Sequence, residues 1–318
     1  MHRFAHGGVA AALVALLLAP PACADDVLKI AAGQRGSWET GISDLGQRAG
    51  IFKRHGIELQ IVYTQGSGET QQAVISGSVD IGIAVGTFGA LGAYAKGAPV
   101  RAIGATMTGA NDLFWYVRAD SPIRSFKDTA GKTVAYSTNG SSTHLSVLAF
   151  RKYYGVDFQQ VATGSPPSTL TQVMSGQIDV GWSVVPLVVE AADAGKVRII
   201  GTAGDIPSFR DQTIRLILVN AEGLQNRRAL LLRYLQAYRE TVDWMYSDPA
   251  ALAVYAEFAQ LPASVAKRVR DDMIPKRDLD PDRLSGLDGL MADAINFKYL
   301  GAPPTPEQLK ELFAIPLK

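Results

Sequence analysis

One seven-residue phrase occurs twice in this chain. Residues 76–82 read SGSVDIG and residues 175–181 read SGQIDVG. Each copy offers a glycine to end a helix, an aspartate in the turn, and the entry to an apolar strand. The first copy is followed by GAPVRAIG (97–104) and the second by GKVRIIG (195–201). A chain that repeats helix, turn, strand, helix and strand in this order is expected to hold two similar α/β halves.

The segments between agree. Val27–Ala31 reads as a strand that runs into the loop GQRGSW (33–38). A helix is expected over 40–49, then a period-two strand over Ile57–Tyr63. TQGSG (64–68) turns the chain into a helix over 69–75, Val79–Val85 is the next strand, and Leu91–Lys96 the next helix. The second half begins near Phe126. Its first strand ends in STNGSST (137–143), and Ser141 or Ser142 is a natural cap for the helix that carries Leu145, Leu148 and Ala149. From Asn226 the chain turns helical, over 227–246, 249–260 and shorter pieces. Leu231, Leu235, Tyr238, Val242 and Met245 form one apolar stripe, read as core. Strands alternating with helices imply mainly parallel sheets covered on both faces. Asp80 and Asp179 fall at the turns of the repeat and read as structural residues in different lobes, not as a catalytic pair.

Composition narrows the function. At 318 residues, 47% of them hydrophobic, the chain has material for two packed domains. Residues 1–24 read as a signal peptide, with Arg3, an apolar stretch from Val9 to Ala19 and Ala22-x-Ala24 as the cleavage site. The cut is expected after Ala24, giving a periplasmic protein. Cys23 is the only cysteine, and the Pro20-Pro21-Ala22 before it does not favour lipid anchoring. The mature chain would then hold no thiol nucleophile and no cysteine metal site. Of 31 basic and 30 acidic residues only Arg3 precedes Asp25, so the remainder is neutral. That balance gives no support for nucleic acid as a partner. Three loops, GQRGSW, TQGSG and STNGSST, lie where a strand hands over to a helix, the edge at which open α/β sheets bind ligands. Backbone N–H groups and hydroxyls at such a helix start suit an anion or a polar oxygen.

Four stretches carry a family resemblance: AGIFKRHGIELQIV (49–62), AVISGSVDIGIA (73–84), VRADSPIRSFKDTAGKTVAYSTNGSSTH (117–144) and LTQVMSGQIDVGWSVVPLV (170–188). They resemble the periplasmic substrate-binding proteins of ABC importers, in the group serving nitrate, taurine and aliphatic sulfonates. Proteins for the pyrimidine precursor of thiamine are similar too. The resemblance implies the two-lobe type II binding-protein fold, with residues 25–116 and 219–318 in lobe 1 and 117–218 in lobe 2. It implies crossings at Tyr116–Arg118 and Arg215–Val219, and a helical C-terminal region. It also implies a small-molecule ligand, an ABC permease as partner, a monomer, no cofactor and no catalysis. Carried over by position, the pocket draws on Arg35, Gly36, Ser37 and Trp38, on Gln65, Gly66 and Ser67, and on Gly86, Thr87 and Phe88. The second lobe adds Ser141, Ser142, Thr143 and His144, then Trp182, Val185 and Pro186. Many relatives carry an acid where this chain has Val185, and that acid can meet a ligand amine. Its loss argues against amine-bearing ligands and for a small organic anion, sulfonate or carboxylate, aromatic bodies included. Arg35 is the expected anion partner, or else a rim residue. A neutral heteroaromatic ligand is the rival. A sensing partner of a signalling receptor and an enzyme resembling the thiamine-pyrimidine synthases are the competing functions.

Overall fold

The computed structural model describes residue 2 and residues 25–317. The expected signal peptide, His2 apart, lies outside the described residues. Among the described residues there are ten strands: β1 (Asp26–Gly33), β2 (Ile57–Thr64), β3 (Ile81–Gly86), β4 (Val100–Thr108), β5 (Leu113–Arg118), β6 (Thr133–Tyr136), β7 (Gln159–Ala162), β8 (Gly181–Val184), β9 (Val197–Thr202) and β10 (Thr213–Asn220). The first sheet has the order β2-β1-β3-β10-β4. β5 lies between β8 and β9, and β6 pairs with β7. A parallel bridge from Val134 to Val180 joins these two pieces. The second lobe therefore runs β7-β6-β8-β5-β9, the order of the first with β5 in the place of β10. In each lobe the pairs built on β1 or β6 are parallel. The intruding β10 or β5 is antiparallel to both its neighbours.

The repeat explains its own sequence. Gly77 and Gly176 end their helices at φ +71° and +77°, where a side chain is strained. Asp80 Oδ2 accepts from the Lys29 amide at 2.8 Å, and Asp179 Oδ2 accepts from the Thr133 amide at 2.9 Å. Each aspartate thus ties its turn to an interior strand of its lobe, β1 at Lys29 or β6 at Thr133, as a structural turn residue would. The closing glycine is set by packing. A Cβ on Gly82 would meet Val74 Cγ2 at 2.7 Å, and one on Gly181 would meet Val173 Cγ2 at 2.8 Å. Val74 and Val173 are fully buried on the helices that precede each turn, Ser67–Ile75 and Pro166–Met174.

The segments expected to cross between lobes are strands inside them. Tyr116–Arg118 belongs to β5, and Arg215–Val219 belongs to β10. Both lie between two paired neighbours and, Arg118 apart, are buried, which makes them sheet strands and not linkers. The chain passes between sheets at residues 109–112 and 203–212. After β10 the helix Arg228–Ser247 buries Leu231, Leu235, Tyr238, Val242 and Met245, the expected stripe. Near the C-terminus the Ala314 amide donates to the Ala102 carbonyl of β4 at 2.9 Å. Among the described residues no helix is long and apolar enough to cross a membrane.

Candidate functional site

The C-terminal ends of β1, β3, β6 and β8 meet around a cavity of about 30 Å³ between the lobes. The first lobe lines it with Gly33, Gln34, Ser37, Glu39 and Thr40 after β1, with Ser67, with Ala84 of β3 and with Arg215 of β10. The second adds Leu113, Ser137, Ser141, Ser142, Thr143, Trp182 and Val184. A space of this size holds one or two waters, so the lobes are closed on each other. Closure depends on glycine. A Cβ on Gly86 or Gly89 would stand 2.7 or 2.6 Å from the Gly140 carbonyl oxygen of the other lobe. The Gly68 amide donates across the gap to Thr138 Oγ1 at 2.9 Å.

Two wall residues have left-handed backbones without being glycine: Gln34 at φ +48° and Ala84 at φ +61°. At Ala84 the β3–β10 register slips by one residue between Leu216 and Leu218. That bulge places Ala84 in the wall, and local strain of this kind gathers at ligand sites.

On the second-lobe side, hydroxyls cluster at a helix start. Ser141 caps the helix Ser142–Tyr154, accepting from the His144 amide at 3.1 Å. Thr143 Oγ1 accepts from the Ser137 amide at 2.9 Å and lies 2.8 Å from Ser141 Oγ. The positive end of the helix dipole and these hydroxyls favour an oxyanion or other acceptor.

The first-lobe side is acidic. Arg215 is buried between two carboxylates, Glu39 and Asp112. Its head group pairs with Asp112, while its Nε stands 3.1 Å from Glu39 Oε2 without hydrogen-bond alignment. Neither oxygen of Glu39 has a well-aligned donor, although Arg215 and the Thr106 hydroxyl both favour its charged form, and Ser37 Oγ has no partner. Burial pushes the Glu39 carboxyl up to about 7; Arg215 opposes the rise and Asp112 adds to it. Asp112 sits on the crossing itself, and its carbonyl accepts from the Val185 amide of the second lobe at 2.9 Å.

Of the residues expected in the pocket, Ser37, Ser67, Ser141, Ser142, Thr143 and Trp182 line the cavity. The others stand apart from it. Arg35, the expected anion partner, is exposed, with its guanidinium 5.3 Å from the Phe258 ring centre and 5.7 Å from that of Tyr63. Trp38 is fully buried in the first lobe's core, because the C-terminal helices cover it: its ring crosses Tyr255 edge-on and its Nε1 donates to Tyr246 Oη at 3.0 Å. Gly36 turns the loop, and its carbonyl accepts from Tyr255 Oη. The Gln65 carbonyl accepts from Gln34, and Gly66 packs on Thr138. Thr87 hydrogen-bonds the Thr213 carbonyl behind the wall. Phe88 packs on Tyr299, and His144 lies 2.6 Å from the Tyr299 hydroxyl. Val185 and Pro186, joined by a cis peptide, follow β8 beyond the cavity wall. The sequence reading missed Glu39, Asp112 and Arg215. Their signal was an arginine inside the otherwise apolar Thr213–Val219, which needs an acid to be buried at all. Among the described residues no group of three or more His, Cys, Asp or Glu side chains could hold a metal ion.

The sequence profile of the family described as NMT1/THI5 like matches residues 45–252, more than half of the chain, and the chain belongs to that family. Two curated relatives from Saccharomyces cerevisiae are the 4-amino-5-hydroxymethyl-2-methylpyrimidine phosphate synthases THI12 and THI5. Each is 23% identical over 228 residues, 67% of this chain and 66% of the relative. The chain thus spans just under two thirds of their length. Among solved structures, the alkanesulfonate-binding protein SsuA from Xanthomonas axonopodis pv. citri, bound to MOPS, superposes with a TM-score of 0.75. It is 19% identical and covers 89% of this chain and 96% of its own. The periplasmic nitrate-binding protein NrtA from Synechocystis PCC 6803 gives 0.69 at 12% identity, with 89% and 84% covered. These likenesses establish the periplasmic binding protein fold.

Proposed function

We propose that this NMT1/THI5-like protein is an extracytoplasmic solute-binding protein. It captures one small organic solute between its lobes and delivers it to an ABC permease, as a monomer in the periplasm. The observation that carries this reading is the cavity itself. Both lobes line it, at strand ends, with hydroxyls, a helix start and a carboxylate turned inward. The residues lining it include neither histidine nor cysteine, which favours capture over the synthase activity named for the yeast relatives. The expected leader peptide supports export. The helix start at Ser141–Thr143 suits an oxyanion, carboxylate or sulfonate, as one end of the solute.

A thermal-shift panel tests the reading. It comprises alkyl and aryl sulfonates, aromatic carboxylates, nitrate and substituted pyrimidines, applied to refolded, ligand-stripped protein. A solute at about 100 times its Kd stabilises the fold by about 2.7 kcal/mol, several degrees in Tm. A shift with the solute recovered unchanged supports capture. Chemical conversion of a bound compound supports the synthase reading instead.

A further inference from the structure

The acid that the sequence lacks at position 185 has a counterpart in the other lobe. Glu39 lines the cavity, is 1% exposed, and has no well-aligned hydrogen bond to either carboxylate oxygen. Ser37 Oγ, also in the wall and fully buried, is in the same condition. A buried acceptor with no donor is costly, and more so for a carboxylate. Arg215 offsets only part of that cost: it forms an ion pair with Glu39 at 3.1 Å, but the same guanidinium also serves Asp112. Besides Arg215, the neighbouring Thr106 hydroxyl from β4 is the side-chain donor that favours the Glu39 carboxylate, and it is not enough to offset burial. Counting charge, one guanidinium serves two carboxylates. An anionic group placed against Glu39 would meet repulsion, whereas an N–H donor would complete the set.

We infer that Glu39 is the specificity residue for the solute's second end, and that this end carries a hydrogen-bond-donating nitrogen, as an amine, amidine or amide. The inference rests on the solute-binding reading and deepens it. The solute, larger than the about 30 Å³ left between the closed lobes, widens that space and spans it with opposite polarity at its ends: acceptor oxygens at the Ser141–Thr143 helix start, donor nitrogen at Glu39. Burial, which raises the Glu39 carboxyl to about 7, agrees with this, since a cationic donor would draw the proton off and pair with the carboxylate. The loss of an acid at Val185 therefore does not exclude amine-bearing solutes; the site's carboxylate comes from the first lobe.

The test uses matched probes that share one end and differ at the other: taurine against ethanesulfonate, β-alanine against propionate, and 3-amidinopropionate against butyrate. Binding to the stripped wild-type protein is followed by calorimetry and by thermal shift. The inference predicts that the nitrogen-bearing member of each pair binds about tenfold tighter or more, the worth of one charge-assisted hydrogen bond. Glu39→Gln should erase that preference. Equal or tighter binding of the nitrogen-free members overturns the inference and leaves the solute-binding reading intact. Retention of the preference in E39Q overturns the role of Glu39. Failure of all six probes to bind also counts against the inference, and solute retention measured by mass spectrometry then decides the solute-binding reading separately. The wild-type comparison needs no variant, so poor folding of E39Q would not shield the claim.

Discussion

The Tyr299 hydroxyl lies 2.6 Å from His144 Nδ1, across the line where the two lobes meet. The Gly140 amide donates to that hydroxyl at 3.0 Å and to His144 Nδ1 at 3.2 Å, so Nδ1 is an acceptor and the tyrosine proton points to it. His144 is therefore neutral, with its proton on Nε2. Burial agrees, pushing the imidazole down to about 4. Tyr299 follows the helix Leu287–Asn296 and stacks on Phe88 of the first lobe, while His144 stacks on Tyr136 of the second. The pair fastens the closed form.

Tyr299→Phe should loosen this fastening without touching the cavity wall. Two hydrogen bonds across the lobes are lost, about 1–3 kcal/mol of closure. Residues 25–318 contain no cysteine, so Val62→Cys and Ile199→Cys, both at exposed positions, take a dye pair cleanly. Single-molecule energy transfer should then show the long-distance population rising in Y299F. An unchanged distribution would remove the latch from the account.

Gly89→Ala isolates closure from folding. Gly89 lies within the helix Thr87–Ala95, where alanine is the better former by about 1 kcal/mol. Its Cβ would nevertheless stand 2.6 Å from the Gly140 carbonyl oxygen when the lobes are shut. The expected outcome is a protein with an unchanged or higher Tm when empty, and solute affinity lowered at least about tenfold, the price of about 1.4 kcal/mol of steric strain. Equal affinity in calorimetry would show that the lobes need not approach this closely.

Stability against pH separates Glu39 from His144. Glu39 is raised from 4.5 to about 7, so between these values the folded state holds a proton that the unfolded state has lost. Stability then falls as pH rises. His144 is lowered from 6.5 to about 4, so over that interval the unfolded state binds the extra proton and stability climbs with pH. The two slopes oppose each other between pH 4.5 and 6.5. Urea denaturation should show H144N losing stability as pH increases and E39Q gaining it, with the wild type flatter than either. The groups facing Glu39 are Arg215 from β10, Asp112 from the crossing and Tyr238 from the Arg228–Ser247 helix. Parallel profiles for the three proteins would contradict this assignment.

Arg215 should be the costliest single change at the site. Arg215→Met leaves Glu39 and Asp112 buried together without a counter-charge, a loss of about 3–5 kcal/mol. Adding E39Q and D112N should restore part of it, since the remaining groups carry no charge. A triple variant no more stable than R215M would show that the arginine acts through packing.

The two-lobe plan was legible because many of its constraints are local. The cap glycines and Gly82 depend on neighbours within one helix–turn–strand unit, while the aspartates reach out of it to β1 or β6 and, for Asp80, to Arg227, and Gly181 also packs on Tyr116 of β5. Ser37, Ser67 and Ser141–Thr143 were legible for the same reason, since they sit at strand-to-helix turns. The acid–base centre was not. Glu39, Asp112 and Arg215 are brought together by β10 inserting between β3 and β4, a pairing that the order of elements does not announce. Trp38 and Arg35 misled for a related reason. They flank the binding loop in sequence, but Tyr246, Tyr255 and Phe258, from helices more than two hundred positions later, cover the first and stack beneath the second.

The most direct measurement is native mass spectrometry of the ligand-stripped protein after incubation with a small-molecule extract of bacterial cells. The account predicts one solute retained at one per chain and released unchanged. Ser141→Trp, which fills the cavity from the helix start, should abolish its retention. A wild-type protein that retains nothing, or an S141W protein that retains the same solute, would contradict capture in this cavity.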